Sequence, residues 1–382
     1  MKLKFLLLGS VAITLMFTSC EKDEITPIAP INTNLTIPDS YDGANFDGNA
    51  SAQLLVIDQL SALTAEAKRG RDVNNTVTKT DLDNLFTTGT PSLSSEVTTY
   101  FKAKLEGENG WFDELAKSSG NSWSPEAPTT GSTGGVYGGY LFDENGLEIE
   151  QLIEKGQFGA TLYNHAVKLM SGTITLATVD QLVAIFGANP SFSNSGSDNA
   201  GTDKDVALAN YGARRDKADG NGMYTSIKKE FITLQAALKG GDDFITERDA
   251  ALENIKTLWE KINAATVINY CHSPIDKLSQ TNPSDSDISS ALHAISEGIG
   301  FIYGIKTIDQ SYRVITDTQI YDVLTLFNAP SDATATVYKF ATDPSSELTK
   351  LQQIISKLKT IYGFTDQEIE DFKSNWVSSQ GR

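Results

Sequence analysis

The chain of 382 residues is poor in cysteine and histidine, with two of the first, Cys20 and Cys271, and three of the second, His165, His272 and His293. So few cysteines exclude a cysteine-built metal or redox centre. Convincing strand alternation is almost absent, which excludes a sheet-based body and points to an all-α one. Basic charge is scarce as well: 31 Lys and Arg stand against 49 Asp and Glu, a net charge of −18. That balance disfavours nucleic acid and anionic membrane surfaces as partners. It fits cations, a basic ligand or plain solubility. The length suffices for one large or two medium domains held by an ordinary hydrophobic core.

Lys2 and Lys4 form a basic start to an apolar run, Phe5–Phe17, too short to span a membrane with stop-transfer flanks. The run ends in Phe17-Thr18-Ser19-Cys20, small residues directly before a cysteine. Residues 1–19 thus resemble a bacterial lipoprotein signal, in which Cys20 is lipidated and becomes the mature N-terminus. Glu21-Lys22-Asp23-Glu24 looks like the acidic tag that sends lipoproteins to the cell surface in the Bacteroidetes group. The expected location is the outer membrane, exposed outward, with the acyl chains as the only membrane contact. With Cys20 lipidated, Cys271 has no intramolecular partner. Residues 20–48, rich in Pro, Asn, Thr, Asp and Gly, read as a flexible tether.

From residue 49 to 376 the apolar spacing predicts a helical body of ten or more helices, consistent with two packed bundles meeting near 190–204. A helix from Asn49 or Ser51 to Arg69 comes first, then Leu82–Phe86, Ser94–Leu105 and Trp111–Ala116. Residues 118–146, with seven glycines and two prolines, read as a long surface loop. The following helix, Leu147–Met170, carries a small-residue stripe through Gly156 and Gly159. Thr178 suits the N-cap of Val179–Phe186, and Pro274 marks the end of a long helix from Thr246.

Ile288–Ile305 is the most informative stretch. Ile288, Leu292, Ile295, Ile299 and Ile302 form its core stripe, while His293, Glu297, Gly300 and Gly304 occupy the opposite face. Glu297 is its only charged residue, so a His–Glu pair one turn apart sits on a helix with little solvated surface. Such a pair needs a partner, a shared proton or a ligand. Glu148, Gln151 and Lys155 form a polar line on the border of the preceding small-residue helix, whereas Glu150 and Glu154 are expected to project away. Arg214-Arg215 is an uncommon basic cluster for so acidic a chain, suited to a structural ion pair or to a carboxylate or phosphate ligand. The candidate ligand-binding residues are therefore His293, Glu297, Glu148, Gln151, Lys155, Arg214 and Arg215. His293, Glu297 and Glu148 are the candidates for a divalent metal such as iron, calcium or zinc.

Four patches of the chain, GLEIEQLIEKGQFGATLYNHA, ANYGARRDKADGNGMYTSIKKEFITLQAAL, WEKINAATVINY and LHAISEGIGFIYGI, together resemble an uncharacterised group of Bacteroidetes lipoproteins. That group carries a domain-of-unknown-function label and is similar to the imelysin-like proteins. The resemblance spans most of residues 40–376 and implies an all-helical fold of two bundles with a site between them. It also implies a link to iron uptake or to metallopeptidase activity. The imelysin motif G-x-H-x-x-E stands here as His293-Ala294-Ile295-Ser296-Glu297, an H-x-x-x-E spacing with Ala291 in the glycine's place. What carries over is a His–Glu helix at an interdomain position. The favoured expectation is a surface lipoprotein binding a small ligand or metal between bundles, in iron or nutrient acquisition. A metal-dependent hydrolase, or a structural module that meets a partner surface protein, are the alternatives.

Overall fold

A computed structural model describes residues 34–196 and 203–382. The signal-like segment 1–19, Cys20, the acidic residues 21–24 and the tether to residue 33 lie outside the described residues. Helices are the dominant regular structure of the described residues, as the absence of strand alternation predicts. The first, α1 (Phe46–Arg69), begins three residues before the expected Asn49. Tyr41 and Phe46 are buried, Tyr41 donates to Asp180 at 2.5 Å, and the backbone of Asp42 exchanges two 2.9 Å hydrogen bonds with the Gln235 amide. The end of the expected tether is thus packed onto the body, because its two aromatic rings have apolar area to bury.

Four short helices follow: α2 (Lys79–Thr87), α3 (Leu93–Glu96), α4 (Thr99–Glu106) and α5 (Trp111–Ser118). The expected helix from Ser94 to Leu105 is broken into two by Val97 and Thr98, both extended. Residues 118–146 hold a small hairpin as well as loop. Strands β1 (Gly135–Tyr137) and β2 (Tyr140–Phe142) pair antiparallel about Gly138-Gly139. Both turn glycines have positive φ, 57° and 86°, as a two-residue hairpin turn demands.

The expected helix Leu147–Met170 is a rod in three parts: α6 (Ile149–Gln157), a π-helical turn (Phe158–Tyr163) and α7 (Asn164–Met170). Next, α8 (Leu176–Phe186) is capped by Thr175, with Thr178 closing the capping box instead of serving as the cap. The second half supplies α9 (Ala207–Arg215), α10 (Met223–Gly240), α11 (Ile245–Leu278) and α12 (Asp285–Ile305). Pro274 lies inside α11 rather than at its end. A proline there forfeits one helical hydrogen bond, a cost of about 3 kcal/mol. Burial of Pro274 and of Leu278 one turn later offsets it. The chain closes with α13 (Asp317–Leu326), α14 (Lys339–Thr342), α15 (Pro344–Tyr362), α16 (Asp366–Asp371) and α17 (Trp376–Gln380).

At the centre, α12 packs on α6 and on α11. The crossing of α12 over α6 and the π-helical turn is a backbone-to-backbone contact made by Gly156, Gly159, Gly300 and Gly304. A Cβ on Gly304 would stand 2.3 Å from the Gly156 carbonyl oxygen, and one on Gly300 2.6 Å from that of Gln151. Neither contact leaves room for a methyl group. Aromatic rings join helices from both sides of residues 190–204: Phe158 meets Tyr211 at 5.8 Å and Phe186 meets Trp259 at 4.9 Å. Residues Asn32–Arg382 accordingly form one unit. Among the described residues no helix is long and apolar enough to cross a membrane.

Candidate functional site

Glu148 is the last residue before α6, where the helix N-terminus favours a carboxylate. Its N–H donates to Ser296 Oγ at 2.9 Å, and Ser296 donates in turn to the Leu292 carbonyl. The glycine crossing and this bridge set α6 beside α12 so that Glu148 Oε2 meets His293 Nδ1. On its other side His293 Nε2 faces Glu297 Oε2 at 3.4 Å. The ring of Tyr140, delivered by β2, stacks on His293 at 4.4 Å and 19°. Arg71, two residues past α1, lies 5.1 Å above the same tyrosine and donates to Glu148 (Nε, 2.8 Å) and Glu150 (Nη2, 2.7 Å). Glu297 also accepts from the Tyr270 hydroxyl at 2.8 Å. Lys155 reaches Glu154 at 2.8 Å and Glu297 at 3.6 Å, with its ammonium 5.3 Å from the Tyr211 ring centre.

Burial by itself would lower the basicity of His293. The charges of Glu148 and Glu297, with the Glu148 hydrogen bond, outweigh it and lift the imidazole above its ordinary value. Lys155 follows the same pattern: burial opposes its charge, and Glu154, Tyr211 and Glu297 hold it well above the usual lysine range. The neighbouring carboxyls split. Burial and the charges of Glu154 and Glu148 push Glu150 well up against the pull of Arg71 and Lys68. Glu154, which burial would also raise, is brought down to about 2 by Lys155 and Lys68. Burial thus pushes Glu150 toward its neutral form, while Glu154 one turn on is held ionised by its two lysines.

These groups floor an open cleft of about 370 Å³ between α1, α6, α9 and α12. Of the residues expected at a site, His293, Glu297, Gln151, Lys155 and Arg214 line it. Glu148 is fully buried and reaches the cleft only through His293 and Arg71. Arg215 is not brought to the group; its Nη1 donates to the Phe372 carbonyl at 2.7 Å, within the packing of the C-terminal segment. Glu150 and Glu154 do not project away. Glu150 is fully buried under Arg71, and Glu154 is pinned by Lys68 and Lys155. Sequence reasoning missed Lys68, Arg71, Tyr140 and Tyr270. Only Tyr270 left a signal, since it ends the uncharged run 262–271.

Among the described residues, no three or more His, Cys, Asp and Glu side chains are placed to hold a metal ion. The reason is visible in the metal candidates themselves. Both nitrogens of His293 face carboxylates, and the cations of Arg71 and Lys155 stand against Glu148 and Glu297 where a divalent ion would have to be.

A family model described as a domain of unknown function (DUF4856) matches residues 195–365. The matched region runs from α9 to α15 and contains Tyr211, Arg214, Tyr270, His293 and Glu297. Lys68, Arg71, Tyr140 and all of α6 precede it, so the cleft is built jointly from the matched and unmatched parts. No curated protein matches the chain, and no solved structure does.

Proposed function

We propose that this protein is a surface-exposed outer-membrane lipoprotein that binds a small, charged organic solute in the cleft between α1, α6, α9 and α12. The observation that carries the reading is the concentration of buried ionised groups on the floor of an open cavity. Taking such groups out of water costs several kcal/mol per ion, and an apolar crossing would stabilise the fold at least as well. Charged groups kept at a cavity despite that cost are poised for a polar ligand. Arg71 and Lys155 already neutralise the carboxylates, which favours an organic solute over a bare iron, calcium or zinc ion and bears against metal-dependent hydrolysis. Lipidation at Cys20 would hold the cleft at the cell surface, where it would serve nutrient acquisition.

The test is a thermal-shift panel of amino acids, dicarboxylates, sugar acids, polyamines and divalent cations on the purified protein. At least one organic class raises the melting temperature with concentration, and His293→Gln weakens that response. A protein that no member of the panel shifts would overturn the binding reading. Incorporation of labelled palmitate that Cys20→Ala abolishes tests the anchor separately.

A further inference from the structure

Beside the charged cleft runs a second cavity of about 290 Å³, walled by Ile57, Leu60 and Ala65 of α1. The two share Ser61, Lys68, Glu154, Phe158, Val206 and Ala207, so they form one groove with a charged half and an apolar half. Their sizes are at the scale of roughly 300–1,000 Å³ on which proteins hold small ligands. Gln151 supplies an independent indication of what enters. It lines the charged half, is only 1% exposed, and spends its Nε2 on Glu150, yet its Oε1 has no hydrogen-bond partner. A buried acceptor without a partner is rare because it loses water and gains nothing. It is satisfied once a ligand brings an N–H donor.

From this arrangement we infer that the ligand is an α-amino acid with an apolar side chain, a refinement that rests on the binding role proposed above. Lys68 lines both halves and Arg71, three residues on, lines the charged half beside it. They take the α-carboxylate, Lys68 through its partly exposed ammonium and Arg71 through the N–H groups that Glu148 and Glu150 leave over. On α6, Glu154 lines both halves and Gln151, three residues before it, lines the charged half; they take the α-ammonium, one through an ionised carboxylate and the other through the orphan Oε1. The side chain then lies along Ile57, Leu60 and Ala65. A dicarboxylate would leave Gln151 unsatisfied and the apolar half empty. A polyamine would meet Lys68, Arg71 and Lys155 with like charge.

Titration calorimetry on the purified protein separates the three contacts. The probes are L-leucine and L-phenylalanine, then 4-methylpentanoate without the amine, 3-methylbutylamine without the carboxylate, and glycine without the side chain. Leucine or phenylalanine binds, and each truncated probe binds at least about tenfold more weakly, since a site built around a polar group rejects the analogue that lacks it. Ala65→Glu, at an exposed position of α1, weakens leucine by a similar factor and leaves glycine unchanged. If 4-methylpentanoate matches leucine, the amino-acid class is overturned while a charged-ligand cleft stands. The same holds if neither amino acid binds but another panel compound does. If the protein binds nothing at all, the proposed function falls with the inference.

Discussion

Replacing Arg71 by methionine keeps most of the side-chain volume and removes the one cation shared by Glu148 and Glu150. Both carboxyl groups have no solvent exposure, whereas Arg71 is 23% exposed. Breaking a buried ion pair from one side costs about 3–5 kcal/mol, mostly through the charge left behind. Here the lower end applies: Glu148 keeps His293 as a partner, and Glu150 is already pushed toward its neutral form. The expected loss is about 3 kcal/mol at pH 7.5, or roughly 6 °C in melting temperature for a chain of this size. The sign of its pH dependence follows from linkage. Arg71 pulls the Glu150 carboxyl down, so without the guanidinium Glu150 holds its proton to higher pH than in the parent, and the deficit widens as pH rises and narrows toward pH 5. Urea unfolding of parent and variant at pH 5 and 7.5 measures both effects. Adding Glu150→Gln to the variant recovers part of the loss at pH 7.5. A deficit below about 1 kcal/mol, or one that does not change with pH, would refute the role given to Arg71.

Two further outcomes test the frame around the site. Because the folded-state value of His293 is raised, its contribution to stability is complete below about 6.5 and fades as pH climbs through the folded value. His293→Gln should remove that slope between pH 6 and 9, and identical slopes in parent and variant would contradict the Glu148–His293–Glu297 arrangement. Gly304→Ala should destabilise by about 1–3 kcal/mol through its clash with the Gly156 carbonyl, although a helical Gly→Ala change alone gains up to about 1 kcal/mol. Gly48→Ala, on α1 with nothing within 4 Å of the added methyl, is the control and should stabilise slightly.

Much of the centre of the fold was legible in the residues. The stripe of Ile288–Ile305 foretold α12 as a buried helix, and the small residues of Leu147–Met170 suited the approach of another backbone, realised at Gly156–Gly304. The His293–Glu297 pair and the polar line through Glu148, Gln151 and Lys155 do meet in one place. What was not legible depends on chain returning from far away. Arg71 belongs to no periodic pattern, and its partners lie 77 and 79 residues on. Glu150 and Glu154 read as projecting away from the polar line because spacing within a helix cannot show that α1 and the turn after it cover that face. Tyr140 sat in a stretch that composition marks as loop, and only the tight turn at Gly138-Gly139 folds it back over His293. Pro274 misled for the opposite reason: a local stop signal was overridden by burial beyond it.

The central claim is that the groove beside Lys68 and Gln151 is a ligand site and not merely a polar seam. Ser61 is exposed, lies on α1 and borders both halves of the groove, yet takes no part in the charge network. Ser61→Trp therefore fills the groove while leaving the fold and the buried ion pairs in place. The most direct measurement is the melting temperature of parent and Ser61→Trp across a titration of L-leucine. The account predicts equal stability without ligand, a logarithmic rise with concentration for the parent, and no rise for the variant. A variant that responds as the parent does, or a folded parent that responds neither to L-leucine nor to any other compound of the panel, would contradict it.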